Sequence, residues 1–151
     1  MEGVDENLGR WPVSTEIPVQ WGDLDALNHV NHTVFLTWME TARMIYFDQC
    51  GIMEKMESEG IGPILASLKA NYISPVHFPD KMTVKATISA MGNSSFEMSY
   101  RIFSEKNSGK IACEGTVLGV LFDYNSGKST PIPDELRSRI FEIESNGSDD
   151  P

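Results

Sequence analysis

Basic residues are scarce in this chain: 12 Lys and Arg stand against 22 Asp and Glu, a formal net charge of −10 over 151 residues. A nucleic-acid partner is therefore not expected, because binding a phosphate backbone needs basic surface. A small anionic ligand held by a few local positive groups remains compatible with that balance. Long hydrophobic runs are also missing. No apolar stretch approaches the ~18 residues of a membrane span, so no membrane partner is expected. The acidic start (Glu2, Asp5, Glu6) lacks both the apolar core of a signal peptide and the arginines of a transit peptide. Cysteine is nearly absent: Cys50 and Cys113 lie far apart in apolar surroundings and read as reduced core residues rather than a disulfide. These absences point to a cytoplasmic protein. The Asn-x-Ser/Thr triplets at Asn31, Asn93 and Asn146 then read as chance.

What is present suits one soluble globular domain. Hydrophobic residues make up 40%, and a chain of this length buries roughly 70% of its unfolded surface. The domain is expected to span 11–143, with the polar, aperiodic stretches 1–10 and 144–151 as frayed tails. Val13 to Gln20 reads as a short strand, irregular or at an edge because of Pro12 and Pro18. From about Thr33 to Cys50 the apolar residues Val34, Phe35, Trp38, Met39, Ala42, Ile45 and Tyr46 fall at helical spacing. Asn31 is a candidate N-cap and Gly51 a candidate C-terminal stop.

Beyond Gly62 the period changes. Ile64 to Val76 is β-like and ends at Pro75, and Met82, Val84, Ala86, Ile88 and Ala90 alternate with polar residues as a half-buried strand does. Gly92-Asn93 signals a hairpin, after which Phe96, Met98, Tyr100 and Ile102 continue the alternation. A turn at Glu105–Gly109 leads into Ile111–Tyr124, apolar on both faces around Val117–Phe122, and Pro133–Ile143 reads as a short amphipathic helix. The order is strand, long helix, then four consecutive strands joined by tight turns. That predicts an α+β fold with a strongly curved antiparallel sheet packed on one helix. Such a sheet leaves an edge exposed, and pairing of subunits through that edge would cover it.

The chemistry-bearing residues concentrate where the first strand meets the helix. Asp23, Asp25, His29 and His32 share a turn-rich stretch that runs directly into the helix. A helix start presents unpaired N–H groups and the positive end of its dipole, so it favours developing negative charge. A carboxylate just before it, Asp25, can attack an activated acyl carbon or take a proton from a water that does so. The amides then stabilise the oxyanion. Asp25 read simply as a turn-capping aspartate is the plain alternative.

The run Asp23-Leu24-Asp25-Ala26-Leu27-Asn28-His29-Val30-Asn31, followed by Val34-Phe35-Leu36 and Met39-Glu40-Thr41-Ala42-Arg43, resembles the hotdog-fold acyl-CoA thioesterases. Within them it is most similar to the 4-hydroxybenzoyl-CoA thioesterase branch. The likeness spans Ile17 to Phe122 and includes Lys69-Ala70-Asn71-Tyr72-Ile73-Ser74-Pro75, like that family's second strand with its Tyr-x-x-Pro. It implies a hotdog fold, with about five strands wrapped around one long central helix. It also implies hydrolysis of an acyl-CoA to a carboxylic acid and free coenzyme A. By this resemblance Asp25 is catalytic, as nucleophile or general base, and the His32 backbone N–H polarises the thioester carbonyl. His29 and Asn31 fall at substrate-binding positions. One sub-branch carries a histidine at the position of His32; another has Gly-His-Val-Asn-Asn, matched here by His29 and Asn31 but not by Asn28 or His32. No cofactor is implied, since coenzyme A is part of the substrate, and the site is expected between subunits of a homodimer or homotetramer.

Other readings of the same residues stand beside this one. Asp23, Asp25, His29 and His32 are all potential metal ligands, but no second ligand cluster supports a metal, and none is assigned. Asp23 suits fixing the loop by accepting backbone N–H bonds. His29 suits a structural hydrogen bond as well as a catalytic one. Glu40 and Arg43, three apart on a helix, suit an ion pair, and Phe35, Trp38 and Met39 suit the core. Lys69, Lys85 and Arg101 fit either coenzyme A phosphates or a solvated strand face. His77-Phe78-Pro79-Asp80 is similar to the His-Phe-Pro-Gly that introduces the helix of hotdog dehydratases; here it joins two strands, so dehydratase chemistry is not expected. A non-catalytic acyl-CoA-binding or regulatory module on the same scaffold is the alternative function.

Overall fold

The computed structural model describes Asp5 and residues 7–149. Strand β1 (Val13–Pro18) is followed by a single 3-10 turn (Trp21–Asp23), helix α1 (His32–Cys50) and helix α2 (Ile52–Glu59). Strands β2 (Ile61–Tyr72), β3 (Lys81–Met91), β4 (Ser95–Ser104) and β5 (Lys110–Asp123) come next, then the two-residue β6 (Lys128–Ser129) and helix α3 (Asp134–Glu144). The strands lie in the order β1-β3-β4-β5-β2, all antiparallel, with β6 paired to β5. This is the α+β arrangement expected from the sequence.

Helix α1 forms where its apolar spacing and caps place it. The Asn31 side chain accepts from the Thr33 N–H, and Gly51, in the left-handed region at φ 81°, returns its N–H to the Phe47 carbonyl. Over 19 residues the helix is ~28 Å long, enough to cross the sheet. Its buried stripe (Phe35, Trp38, Met39, Ala42, Tyr46, Phe47, Cys50) packs on alternating residues of the strands. Met82, Val84, Ala86 and Ile88 of β3 and Phe96, Met98, Tyr100 and Ile102 of β4 are all buried. Two glycines of β5 permit the close approach: a Cβ on Gly115 would lie 2.8 Å from the Met39 methyl, and one on Gly119 would enter the Phe96 ring. Cys50 and Cys113 are buried and unpaired.

The structure departs from expectation in several places. The eight residues 52–59 form α2, bracketed by Gly51 and Gly60, both at positive φ. Only Ile52 of this helix is buried, so it carries too little periodicity to announce itself. The last four long strands are not joined by tight turns throughout. Strand β2 pairs with β5, from Ile61↔Asp123 to Tyr72↔Cys113, and the segment 73–80 carries the chain across to lay β3 beside β1. That segment is too long for a two-residue hairpin and holds two prolines. Strand β1 stops at Pro18, which lacks an N–H to continue a ladder.

The expected boundaries at 11 and 143 also move outward. Leu8 is buried, the Gly9 N–H donates to the Ile88 carbonyl (2.9 Å), and the Arg10 N–H donates to Glu144 Oε1 (2.9 Å). Glu144 itself is fully buried. The reason lies in the register: β1 covers β3 only as far as Ala86, so the edge at Ile88 needs other partners. Residues 7–10 and the end of α3 provide them. The remainder of the expected tails, residues 1–4, 6, 150 and 151, lies outside the described residues.

Candidate active site

The loop between β1 and α1 is held by backbone bonds before any side chain acts. Leu24 and Val30 form an isolated antiparallel bridge. Within it, the Asp25 N–H donates to the His29 carbonyl (2.8 Å) and the Asn28 N–H to the Asp25 carbonyl (3.0 Å). Asn28 adopts φ 64°, the left-handed conformation that asparagine tolerates better than most residues. Asp23 takes the loop-fixing role expected of it: Oδ2 accepts from the Gln20 N–H (2.8 Å), and its carbonyl accepts from the Asn31 N–H (2.9 Å). The last bond stitches the acid-bearing loop to the start of α1.

Asp25 is half-buried. Its Oδ1 accepts from the Leu27 N–H (2.9 Å) and the His29 N–H (3.3 Å), while Oδ2 has no hydrogen-bond partner among the described residues. The turn-capping reading therefore describes one carboxylate oxygen and leaves the other available. At the helix start, the Thr33 N–H is taken by Asn31 Oδ1 (3.0 Å) and the Val34 N–H by the Asn31 carbonyl (2.9 Å). The His32 N–H has no acceptor among the described residues, so one amide of the first turn stands open. The Asn31 side-chain oxygen is committed to the cap, also accepting from Thr33 Oγ1 (3.1 Å).

The four predicted residues are thus gathered by one short segment, but their side chains meet different neighbours. The imidazole of His32 is exposed and lies edge-on to Tyr72, whose hydroxyl donates to the His32 carbonyl (3.4 Å). Tyr72 in turn meets Phe35, which meets Trp38, so an aromatic row lines the helix start. Burial raises the Tyr72 phenol above its ordinary range, with the neighbouring Cys113 adding to it. His29 lies edge-to-face with His77, ring centroids 5.0 Å apart, and His77 Nδ1 is 3.1 Å from the Asn28 carbonyl. The Val30 N–H donates to the Val76 carbonyl beside it (2.8 Å).

His77 is the residue that sequence reasoning missed here. It was visible in the His-Phe-Pro-Asp run, yet nothing local ties that run to a turn 49 residues earlier. Glu40 and Arg43 form the expected pair (3.7 Å), with Arg43 also donating to the Tyr100 hydroxyl (3.2 Å). Among the described residues no three His, Cys, Asp or Glu side chains converge as a metal site requires. None of their helices is long and apolar enough to cross a membrane.

A curled antiparallel sheet packed on one long helix is the hotdog fold of thioesterases. The model of the Thioesterase-like superfamily matches residues 19–140, and the chain belongs to that family of thioester hydrolases. The long-chain acyl-CoA thioesterase FadM of Escherichia coli (strain K12) is 22% identical over 131 residues, covering 87% of this chain and 98% of that protein. A thioesterase from Thermus thermophilus, solved in complex with coenzyme A and Zn, superposes with a TM-score of 0.79 at 29% identity. The match covers 90% of this chain and 96% of that one. The DHNA-CoA thioesterase of Staphylococcus aureus superposes with a TM-score of 0.75 at 26% identity, over 88% of this chain and 93% of that one.

Proposed function

We propose that the protein hydrolyses an acyl-CoA thioester to a carboxylic acid and free coenzyme A, with Asp25 as the reacting carboxylate and the His32 amide in the oxyanion hole. The observation that carries this reading is the pairing of an unbonded Asp25 oxygen with an unbonded His32 N–H on one stitched segment. A thioester carbonyl bound there would have its oxygen at the open amide and its carbon within reach of the carboxylate or of a water activated by it. In the first case Asp25 Oδ2 adds to the carbon and the negative charge collects on the oxygen facing the His32 N–H. Collapse then breaks the C–S bond, releases the coenzyme A thiolate to take a proton, and leaves a mixed anhydride for water to cleave. In the second case Asp25 removes a proton from water, and hydroxide adds instead. The two differ in one atom's destination. No cofactor is required by either, because a thioester is already an activated acyl donor.

His29 and Asn31, flanking the acid loop and the cap, are the residues proposed to contact the substrate. The exposed ring of Tyr72, edge-on to His32 and backed by the buried Phe35, offers an aromatic surface at the helix start. The protein is proposed to act as a cytoplasmic homodimer or homotetramer. Edge strand β2 supports assembly: its outer rim is unpaired among the described residues, and Leu65, Leu68, Tyr72 and the adjoining Ile73 are exposed large apolar residues.

The test is release of free thiol from a panel of aromatic, short and long aliphatic acyl-CoAs by wild type, Asp25→Asn and Asp25→Ala. At least one substrate should turn over, and both variants should lose about 10³-fold or more in kcat. Undiminished turnover in Asp25→Asn sinks the assignment, and stoichiometric binding without thiol release would favour the binding-module alternative. A single turnover in ¹⁸O-water, followed by mass spectrometry of the Asp25 peptide, establishes the covalent route if label enters the carboxylate. Water opening the anhydride at the acyl carbon leaves it unlabelled, so capture of the anhydride by hydroxylamine as an Asp25 hydroxamate tests that case.

A further inference from the structure

The outer face of the sheet, turned away from α1, carries a cluster of positive charge that the thioester reading does not use. Gly115 faces Met39, so the residues flanking it on β5, Glu114 and Thr116, face outward. The register then lines up two rows across the sheet: Asn71, Glu114, Arg101 and Lys85 in one, and Lys69, Thr116 and Ser99 in the next. Lys85 and Arg101 sit directly opposite each other on β3 and β4. Like charges so placed destabilise a sheet, and they recur here in a chain whose net charge is −10.

Neither lysine nor Arg101 forms an ion pair among the described residues, although acids stand on the same face. Two of those acids are engaged elsewhere, Glu16 with Lys81 (3.4 Å) and Glu97 with the Ser89 hydroxyl (2.8 Å); Glu114, opposite Arg101 on β5 and lining the same groove, accepts from the Asn71 amide (3.4 Å). The Arg101 guanidinium instead lies 4.8 Å from the centroid of the Trp11 ring. Trp11 takes φ 56°, a conformation rare for a bulky residue and one that costs energy to hold. Between Trp11, Arg101, Lys69 and Glu114 lies a groove of about 280 Å³ floored by the Thr116 and Ser99 side of the sheet.

We propose that this groove is an anion site for a phosphate-bearing ligand, with Lys69 and Arg101 as its charged contacts, Lys85 opposite Arg101 on β3 adding positive charge from outside the groove, and Trp11 as the wall that fixes the guanidinium. Arg101 offers a planar fork suited to phosphate, and its position over the indole leaves fewer rotamers to lose on binding. The ligand is either the phosphorylated end of coenzyme A, reaching around the β2 edge, or a separate phosphorylated metabolite. Both present the same chemistry.

The probe is inorganic pyrophosphate, titrated calorimetrically into the intact protein at low ionic strength. Wild type should bind saturably, and Arg101→Gln and Lys69→Gln should each weaken binding about tenfold or more. Lys128→Gln, on β6 and outside the groove, should leave it within about twofold. Absence of saturable binding, or equal weakening by all three substitutions, overturns the site. The thermal melt of each variant certifies its fold, and all three positions lie on the sheet surface rather than in the core. Acyl-CoA kinetics of Arg101→Gln then identify the source: a raised KM at constant kcat assigns the phosphates to coenzyme A, and an unchanged KM assigns a separate ligand. Because the titration needs no turnover, failure of the hydrolytic reading leaves this result standing.

Discussion

Glu144 offers the sharpest test of how this fold is held. It is a fully buried carboxylate whose hydrogen-bond partners include no cation. Oε1 accepts from the Arg10 N–H (2.9 Å) and the Thr87 hydroxyl (2.5 Å), and Oε2 from the Tyr46 hydroxyl (2.7 Å) and the Ile88 N–H (3.1 Å). One side chain thus joins the chain's entry into β1, the open edge of β3 and the C-terminal part of α1. In Glu144→Gln the amide nitrogen must replace one oxygen. The hydroxyl beside it can rotate to accept, but the backbone N–H beside it cannot, so one buried donor is orphaned in either orientation. An orphaned donor costs about 1–3 kcal/mol, and the remaining bonds lose their charge assistance, for a total of roughly 2–4 kcal/mol. Glu144→Ala strands all four donors and should cost more.

For a domain of this size that is a fall in Tm of about 5–15 °C in calorimetry for Glu144→Gln. A Tm within about 2 °C of wild type would refute the reasoning. Tyr46 supplies an independent check through alkaline stability. Burial first, then the Glu144 charge, raise its phenol well above the ordinary range. The unfolded chain therefore releases this proton at about pH 10 while the folded chain keeps it. The stabilising contribution is intact below about pH 10 and declines above it, and Tyr46→Phe should flatten that decline. Tyr100, also raised by burial, keeps part of it.

Further outcomes follow from the site and the core. His77→Phe removes the donor to the Asn28 carbonyl and should lower kcat toward acyl-CoA by about tenfold or more through misplacement of the Asp25 turn. His77→Gln, which retains an N–H, should restore most of that rate; equal loss in both variants would remove His77 from a positioning role. Gly119→Ala should destabilise by about 1–3 kcal/mol in urea melts, because the new methyl meets three carbons of the Phe96 ring closer than 3 Å. Gly115→Ala should cost less, since the flexible end of Met39 can move aside. Cys113, pushed up to about 12 by burial and by Glu114, should react with thiol reagents at about pH 8 only on unfolding, which time-resolved labelling would show.

Features whose causes are local could be read from the order of residues alone. Helix α1 was legible because a 3.6-residue period, an asparagine cap and a left-handed glycine all belong to one continuous segment. Strands β3 and β4 were legible because their pleat writes an alternation of period two into consecutive residues. The candidate site was legible for the same reason: Asp23, Asp25, His29, Asn31 and His32 occupy one run of ten positions, so the loop that gathers them needs no distant partner to be seen. Which strands are neighbours is a matter for the folded chain. Strand β2 lies against β5 although β3 follows it in the chain, because hydrogen-bonding edges, which carry no signature in side-chain order, choose the pairing. Folding also brings His77 to support a turn 49 positions away, and makes an acid at the end of a polar stretch the centre of a buried network. Charge and polarity in a sequence report what a residue can bond, whereas burial depends on what the rest of the chain leaves uncovered, here the part of β3 that β1 is too short to pair.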